Sequence, residues 1–289
     1  MSVRKFLLPV NSTASAGAAL QVGLLLARMW NAHLEVLHVQ ADTREIAPFA
    51  GEGLSSALIE DMITATEREG SVREHELKEM FTSAAQEAAV QVGAAIRGAI
   101  EPSASFTTLA GREEQVVAYK ARLADLTIVP HPLAGEDVAA AEALHAVLFD
   151  SGRPVLLAPV IPPASIGKRI AIAWNGTAYA ASALGSVMPF VRQVQAVRIL
   201  VSEDYNRPGP SAQEVREYIS HHGVEAGITT FSAIDKNTGA GLLAAAAEFG
   251  ADLMSMGAYS TASRLRQLIL GGTTRHVLEK AQISVLMNR

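Results

Sequence analysis

Residues 4–13 read RKFLLPVNST and residues 168–177 read KRIAIAWNGT. Each segment is a basic pair, then apolar residues at nearly every position, then an asparagine two residues before a threonine. An apolar run that does not alternate suits a strand covered on both faces, as in a parallel sheet flanked by helices. The two segments are 164 residues apart. Further matches follow in the same order. Ala124-Asp125-Leu126 repeats as Ala251-Asp252-Leu253 at an offset of 127, and Val155-Leu156 repeats as Val285-Leu286 at an offset of 130. The chain is therefore an internal repeat. Because the offset falls from 164 to 127, the first half carries 37 residues more than the second, most of them between Ala41 and Gln86.

The junction lies in residues 159–165, PVIPPAS, a proline-rich stretch that cannot continue a strand ladder and is short enough to keep the halves in contact. It divides the chain into domains 1–161 and 162–289. In the second half, the patterning predicts strands at 169–174, 196–202, 227–233, 252–256 and 284–287, with helices at 177–194, 211–222, 239–249 and 273–281. In the first half it predicts strands at 5–10, 34–39, 105–109, 126–129 and 155–157. Alternation of this kind calls for right-handed crossovers. The expected fold class is α/β: two tandem, doubly wound, mostly parallel five-stranded sheets of Rossmann-like form, packed with pseudo-two-fold symmetry. The extra residues of the first half read as helices over 54–63 and 72–93, a long crossover with one solvated face rather than a lid.

Composition limits what such a protein does. Of 289 residues, 24 are Lys or Arg and 29 are Asp or Glu, a net charge of −5, so no basic field exists to hold nucleic acid or an anionic membrane. With 49% hydrophobic and 18% charged residues the chain has ample core and is not a disordered polymer. Cysteine is absent, which excludes disulfides, thiolate metal sites and cysteine nucleophiles among these residues. The apolar runs fall short of the roughly 20 residues of a membrane helix, and the start of the chain lacks a secretory apolar core. The expected location is cytoplasmic.

Ligands of open parallel sheets bind beyond the carboxyl ends of the strands, where the strand order reverses. After the fourth strand of the second half comes MGAYSTASRLRQLILGGTTRH, residues 256–276. Gly257 leaves room at the strand exit, and Gly271-Gly272 permit close backbone approach. Thr273 or Thr274 can begin the next helix, whose free N–H groups favour an anion. The arrangement reads as a phosphate cradle.

This stretch, with the repeated Asn-x-Thr and Ala-Asp-Leu pieces, resembles the universal stress protein family. The nucleotide-binding members of that family carry glycine, two residues, glycine, nine residues, then glycine and serine or threonine ahead of their last helix. The resemblance covers both halves. It implies a tandem member of the adenine-nucleotide α-hydrolase-like fold, a stress-response regulator that binds ATP or ADP in its second half, with Mg²⁺ only through the nucleotide. Carried onto this chain, the nucleotide contacts are Asn175, Val201, Gly257, Ser260, Gly271, Gly272 and Thr273. Ser260 replaces the second glycine, and ten residues rather than nine separate it from Gly271. Gly272 stands where the family has its hydroxyl, which Thr273 supplies one position later. Asn175 and its repeat Asn11 stand where those relatives have aspartate; asparagine keeps an acceptor but loses the charge that helps hold Mg²⁺. Val201 matches the family position that meets adenine through its backbone, and also reads as an ordinary buried strand valine.

In the first half Pro130 replaces Gly257, and Ala141-Glu142 replace the paired glycines. Proline lacks the N–H and a carboxylate repels phosphate, so no nucleotide is expected there; that half is expected to pair with the second within the chain. His131, between two prolines, reads as a solvent-exposed turn residue, and His221-His222-Gly223 as a helix end. Arg264 or Arg266 could clamp phosphate. No nucleophile elbow, phosphate-binding lysine loop or zinc helix occurs, so catalysis has no support in the sequence. Two rival readings remain open. One is a nucleotide-free module of the same fold that binds a protein partner or a second copy. The other is a weak ATP-hydrolysing enzyme using Arg266 or His276.

Overall fold

A computed structural model describes residues 3–42, 56–95, 98, 101–132, 138–204, 208–258 and 272–289. In the first half the order is β1 (Lys5–Pro9), α1 (Thr13–Trp30), β2 (His33–Gln40), α2 (Ser56–Glu87), β3 (Gln91–Val92), β4 (Ser103–Ala110), α3 (Glu113–Ala121), β5 (Leu126–Val129), α4 (Val138–Asp150) and β6 (Val155–Leu157). The second half repeats it with β7 (Arg169–Ala173), α5 (Ala178–Val191), β8 (Ala196–Ser202), α6 (Ala212–Ser220), β9 (Ala226–Phe231), α7 (Thr238–Phe249), β10 (Leu253–Gly257), α8 (Thr273–Lys280) and β11 (Ser284–Asn288).

The strands form one 11-stranded sheet in the order β3-β4-β2-β1-β5-β6-β11-β10-β7-β8-β9. Apart from β3, each half contributes its strands in the order third, second, first, fourth, fifth, the doubly wound arrangement. The pairs are parallel except at the centre, where β6 and β11 run antiparallel with Leu156 opposite Leu286. The expected five-stranded sheets thus join edge to edge, and the central antiparallel pair relates one half to the other by a pseudo-two-fold turn. Closing the two inner edges on each other also removes two exposed ladders of unpaired N–H and C=O groups.

Covering both faces explains why the strand sequences are apolar throughout. Phe6, Leu8, Ile170 and Ile172 face one layer with α1, α2, α5 and α6, whereas Leu7, Ala171 and Val285 face the other with α3, α4, α7 and α8. Across the first face Trp30 of α1 meets Phe190 of α5 edge-on at 5.5 Å.

The repeated Ala-Asp-Leu pieces do structural work. Asp125 accepts the N–H groups of Arg4 and Lys5 at 2.7 and 3.0 Å, and Asp252 accepts those of Lys168 and Arg169 at 3.1 and 2.9 Å. Ser165 adds its hydroxyl to Asp252 at 2.9 Å. In each half the fourth strand's aspartate thereby holds the start of the first strand in register. Asp252→Ala is expected to lower unfolding free energy by about 1–2 kcal/mol, measured as a reduced urea midpoint; an unchanged midpoint would show that water replaces the carboxylate.

Two expectations need correction. The insert is one helix, α2, rather than two, and at 1.5 Å per residue its 32 residues span about 48 Å. Polar residues 64–71 have no apolar period, but Thr66 and Ser71 satisfy their hydroxyls on carbonyls four residues back, at 2.8 and 2.9 Å, and the helix runs through. It stops before the expected Gly93 because Ala89 takes a left-handed conformation (φ 53°), after which Gln91–Val92 pair with β4. The third strand of the second half ends at Phe231, not Ala233, because Ile234 and Asn237 bond each other across a tight turn.

Candidate functional site

At the reversal of strand order in the second half, β7 lies beside β10. The chain leaving β7 turns at Gly176 (φ 72°) into α5. Asn175 Oδ1 accepts from the Thr177 N–H at 3.3 Å and the Thr177 hydroxyl at 2.7 Å, and Thr177 Oγ1 accepts the Ala180 N–H, capping the helix. The acceptor expected to meet a ribose or an adenine amine is therefore taken up by the turn. Gly257 ends β10 beneath the same turn. A Cβ there would lie 2.7 Å from Ala180 N and from Tyr179 C, so only glycine lets α5 sit this close. Asn175 and Gly257 are thus brought together by packing around one helix start.

Val201 lies farther out on β8, opposite Thr230 of β9, half-buried against the core. Residues 208–210 lie over the end of β7. Trp174 Nε1 donates to Pro210 O at 2.7 Å, and Gly209 lies against Gly176 so closely that a Cβ would be 2.1 Å from its carbonyl oxygen. Pro208–Pro210 therefore form a strap over the strand end, which no spacing in the sequence announced.

Gly272 and Thr273 belong to a second group. Gly272 is the N-cap of α8 in extended conformation; among the described residues no atom lies within 4 Å of where its Cβ would be and no side chain caps the helix. These two residues line a groove of about 490 Å³ with Asp235, Lys236, Asn237, Thr238, Arg275, His276 and Glu279. Asp235 and Lys236 both have positive φ, 49° and 61°, which is uncommon for residues with side chains. Asn237 caps α7 through Oδ1, and its amide donates to His276 Nδ1 at 2.9 Å, which places the neutral ring's proton on Nε2. Gly239 allows the close approach: a Cβ would be 2.8 Å from His276 Cβ. Two helix starts, α7 and α8, thus converge on one groove, favourable ground for an anion. Ser260 and Gly271, with Arg264 and Arg266, lie outside the described residues.

The carboxyl edge of the first half is satisfied from within. Asn11 donates its amide to the Glu113 carboxylate. His38 stands on β2 where Val201 stands on β8, given that Lys5 pairs with His33 and Arg169 with Ala196. Its Nδ1 donates to Val10 O at 3.0 Å. Above them Glu74 of α2 accepts from Gln40 at 3.0 Å and from Thr108 at 2.7 Å. His131 is not the exposed turn residue expected: it is 2% exposed, drawn in at the exit of β5, and burial holds its pKa below the usual histidine value. His221, by contrast, is the C-cap of α6, as its neighbours suggested. Among the described residues there is no group of three or more His, Asp or Glu side chains able to hold a metal ion, and no helix long and apolar enough to cross a membrane.

These features define a class: a tandem α/β protein of doubly wound halves in one sheet, with its candidate site at the carboxyl edge of the second. The model for the universal stress protein family matches residues 168–289. The second half thus belongs to the universal stress protein family, and the first half repeats its fold. A universal stress protein from Archaeoglobus fulgidus DSM 4304 shares the architecture at a TM-score of 0.66 and 17% identity, with 100% of this chain and 99% of that chain covered. A putative universal stress protein from Pseudomonas aeruginosa UCBPP-PA14 aligns at a TM-score of 0.53 and 15% identity, covering 99% of this chain and 93% of that one. No curated protein matches the sequence.

Proposed function

We propose that this chain is a stress-response regulator that binds ATP or ADP in its second half, residues 162–289, while residues 1–161 form a degenerate partner unit. The observation that carries this reading is the start of α8, where Gly272 and Thr273, with no side-chain cap among the described residues, line a groove of about 490 Å³ shared with the start of α7. Free N–H groups at such a start suit phosphate oxygens. Family membership of the second half supports placing a nucleotide here. Mg²⁺ enters only on the nucleotide, because Asn175 supplies no carboxylate.

A second reading has support of its own. Asn175 has spent its acceptor on Thr177, and the strap at Pro208–Pro210 lies over the end of β7. Both favour a nucleotide-free module that works through protein contacts. Calorimetry with millimolar ATP and ADP, with and without Mg²⁺, separates the two. Binding heat with a raised melting temperature, little changed by Mg²⁺, is expected; no heat and no shift for either nucleotide would leave the interaction module.

A further inference from the structure

Arg289 follows Asn288, the residue paired with Gly257 in the β10–β11 ladder, whose carbonyl accepts the Ala258 N–H at 2.9 Å. It stands at the carboxyl edge of the sheet beside the exit of β10. Its guanidinium carbon lies 4.4 Å from the ring centre of Phe149, on α4 of the first half, and 5.9 Å from that of Tyr179, in the first turn of α5. Two aromatic rings from opposite halves hold the cation in place. They give its N–H groups no acceptor.

Among the described residues the buried Nε has no hydrogen-bond partner, and no carboxylate pairs with the guanidinium. Two arginines elsewhere show the contrast: Arg169, also over a ring, donates to Phe249 O at 3.0 and 2.6 Å, and Arg275 pairs with Glu279 at 2.7 Å; Arg198 shares a buried Nε with no partner among the described residues, but its guanidinium donates to the Thr229 hydroxyl at 2.8 Å. A buried donor left without an acceptor costs free energy and calls for an explanation. A planar fork of donors held by aromatic contact suits an oxyanion, to which it can bond in pairs. Nor does the neighbouring turn bring a charge, because its polar residue is Asn175. Without a carboxylate to share Mg²⁺, phosphate charge at this edge needs a cation from the protein.

We infer that Arg289 is a ligand-binding residue of the second half's site, giving charge-assisted hydrogen bonds to a phosphate group of the nucleotide while Phe149 of the first half holds it in position. The inference rests on the nucleotide reading above. It gives the first half a part in the site: although its own carboxyl edge is closed, it supplies the ring that fixes the cation.

The test titrates the full chain, and its Arg289→Gln and Arg289→Lys variants, with ATP and with adenosine. Arg289→Gln is expected to weaken ATP about ten- to hundredfold and to leave adenosine, which has no phosphate, unchanged; Arg289→Lys should recover part of the ATP affinity. Equal losses for ATP and adenosine would assign Arg289 a structural role, and unchanged ATP affinity would also overturn the inference. If the natural protein binds neither compound, the nucleotide reading fails and inorganic pyrophosphate decides for Arg289. A melting temperature raised by pyrophosphate in the natural protein but not in Arg289→Gln supports an anion site. No rise in the natural protein overturns it.

Discussion

Replacing Gly257 with valine is expected to cost about 3 kcal/mol or more of unfolding free energy, while Gly272→Ser, in the same glycine pattern, is expected to be neutral or stabilising by about a few tenths of a kcal/mol. At position 257 the new Cβ would sit 2.7 Å from two backbone atoms, Ala180 N and Tyr179 C. Backbone cannot rotate aside, so the first turn of α5 must lift from β10. Lifting it disturbs the Asn175–Thr177 cap and moves Tyr179 away from Arg289. At position 272 no atom of the described residues lies within 4 Å of the new Cβ, the backbone is extended, and a serine hydroxyl would supply a side-chain cap that α8 lacks among those residues. Urea denaturation of both variants checks the contrast. Equal midpoints would mean that the close approach of α5 is not maintained in solution.

Acidification from pH 7.5 to 5 is expected to lower the melting temperature, with a second fall below about pH 4.3. His33, His38 and His131 have pKa values held below the usual histidine value, in each case chiefly by burial. Above about pH 7.5 these rings are neutral in both states and contribute no slope. As pH drops through about 6.5 the unfolded chain protonates while the folded chain resists, so the unfolded state binds more protons and stability falls toward the lower folded values. His38 is the clearest case: it is 2% exposed, its Nε2 has no partner among the described residues, and a proton there would meet Arg73, although Glu74 of the same helix would offset part of that repulsion.

Glu35 governs the second fall. Burial opposes its charge, but hydrogen bonds from Lys120 at 2.6 Å and Lys5 at 2.9 Å outweigh that and hold its pKa below the usual carboxylate value. Its contribution is present above about pH 4.3 and is lost as pH falls through the lower folded value. His38→Val copies the residue at the matching position of β8. It should reduce the proton uptake on unfolding between pH 7.5 and 5. A flat melting temperature across that range would show that these rings protonate freely in the folded protein.

Much of the fold is legible in the sequence because each strand's pattern is local. Ile170-Ala171-Ile172 can only be a strand covered on both faces, and the same pattern 164 residues earlier makes the repeat visible. The site is less legible. Gly257 and Gly272 look alike in a motif, yet one is required by the backbone of α5 and the other opens onto a groove. His38 and Val201 occupy matching positions, but no short segment aligns them; the strand registers do. Arg289 carries no motif, and its interest comes from Phe149, 140 residues away in the chain.

By itself the sequence determined that the chain is two copies of one α/β unit, that the surplus length lies in a helical insert of the first copy, and which strand exit carries the glycines. Those features are written in apolar period and in repeat offsets, both short-range properties of the chain. Only the tertiary structure decided that the halves share one sheet through β6 and β11, that Asn175 spends its acceptor on its own turn, that Pro208–Pro210 strap the end of β7, and that the Arg289 guanidinium, unpaired among the described residues, stands between rings of both halves. Apart from the Asn175 turn, which depends on a backbone conformation rather than on distance, each of these depends on groups distant in sequence meeting within a few ångströms, where hydrogen bonding, steric contact and burial act, and no local pattern records such meetings.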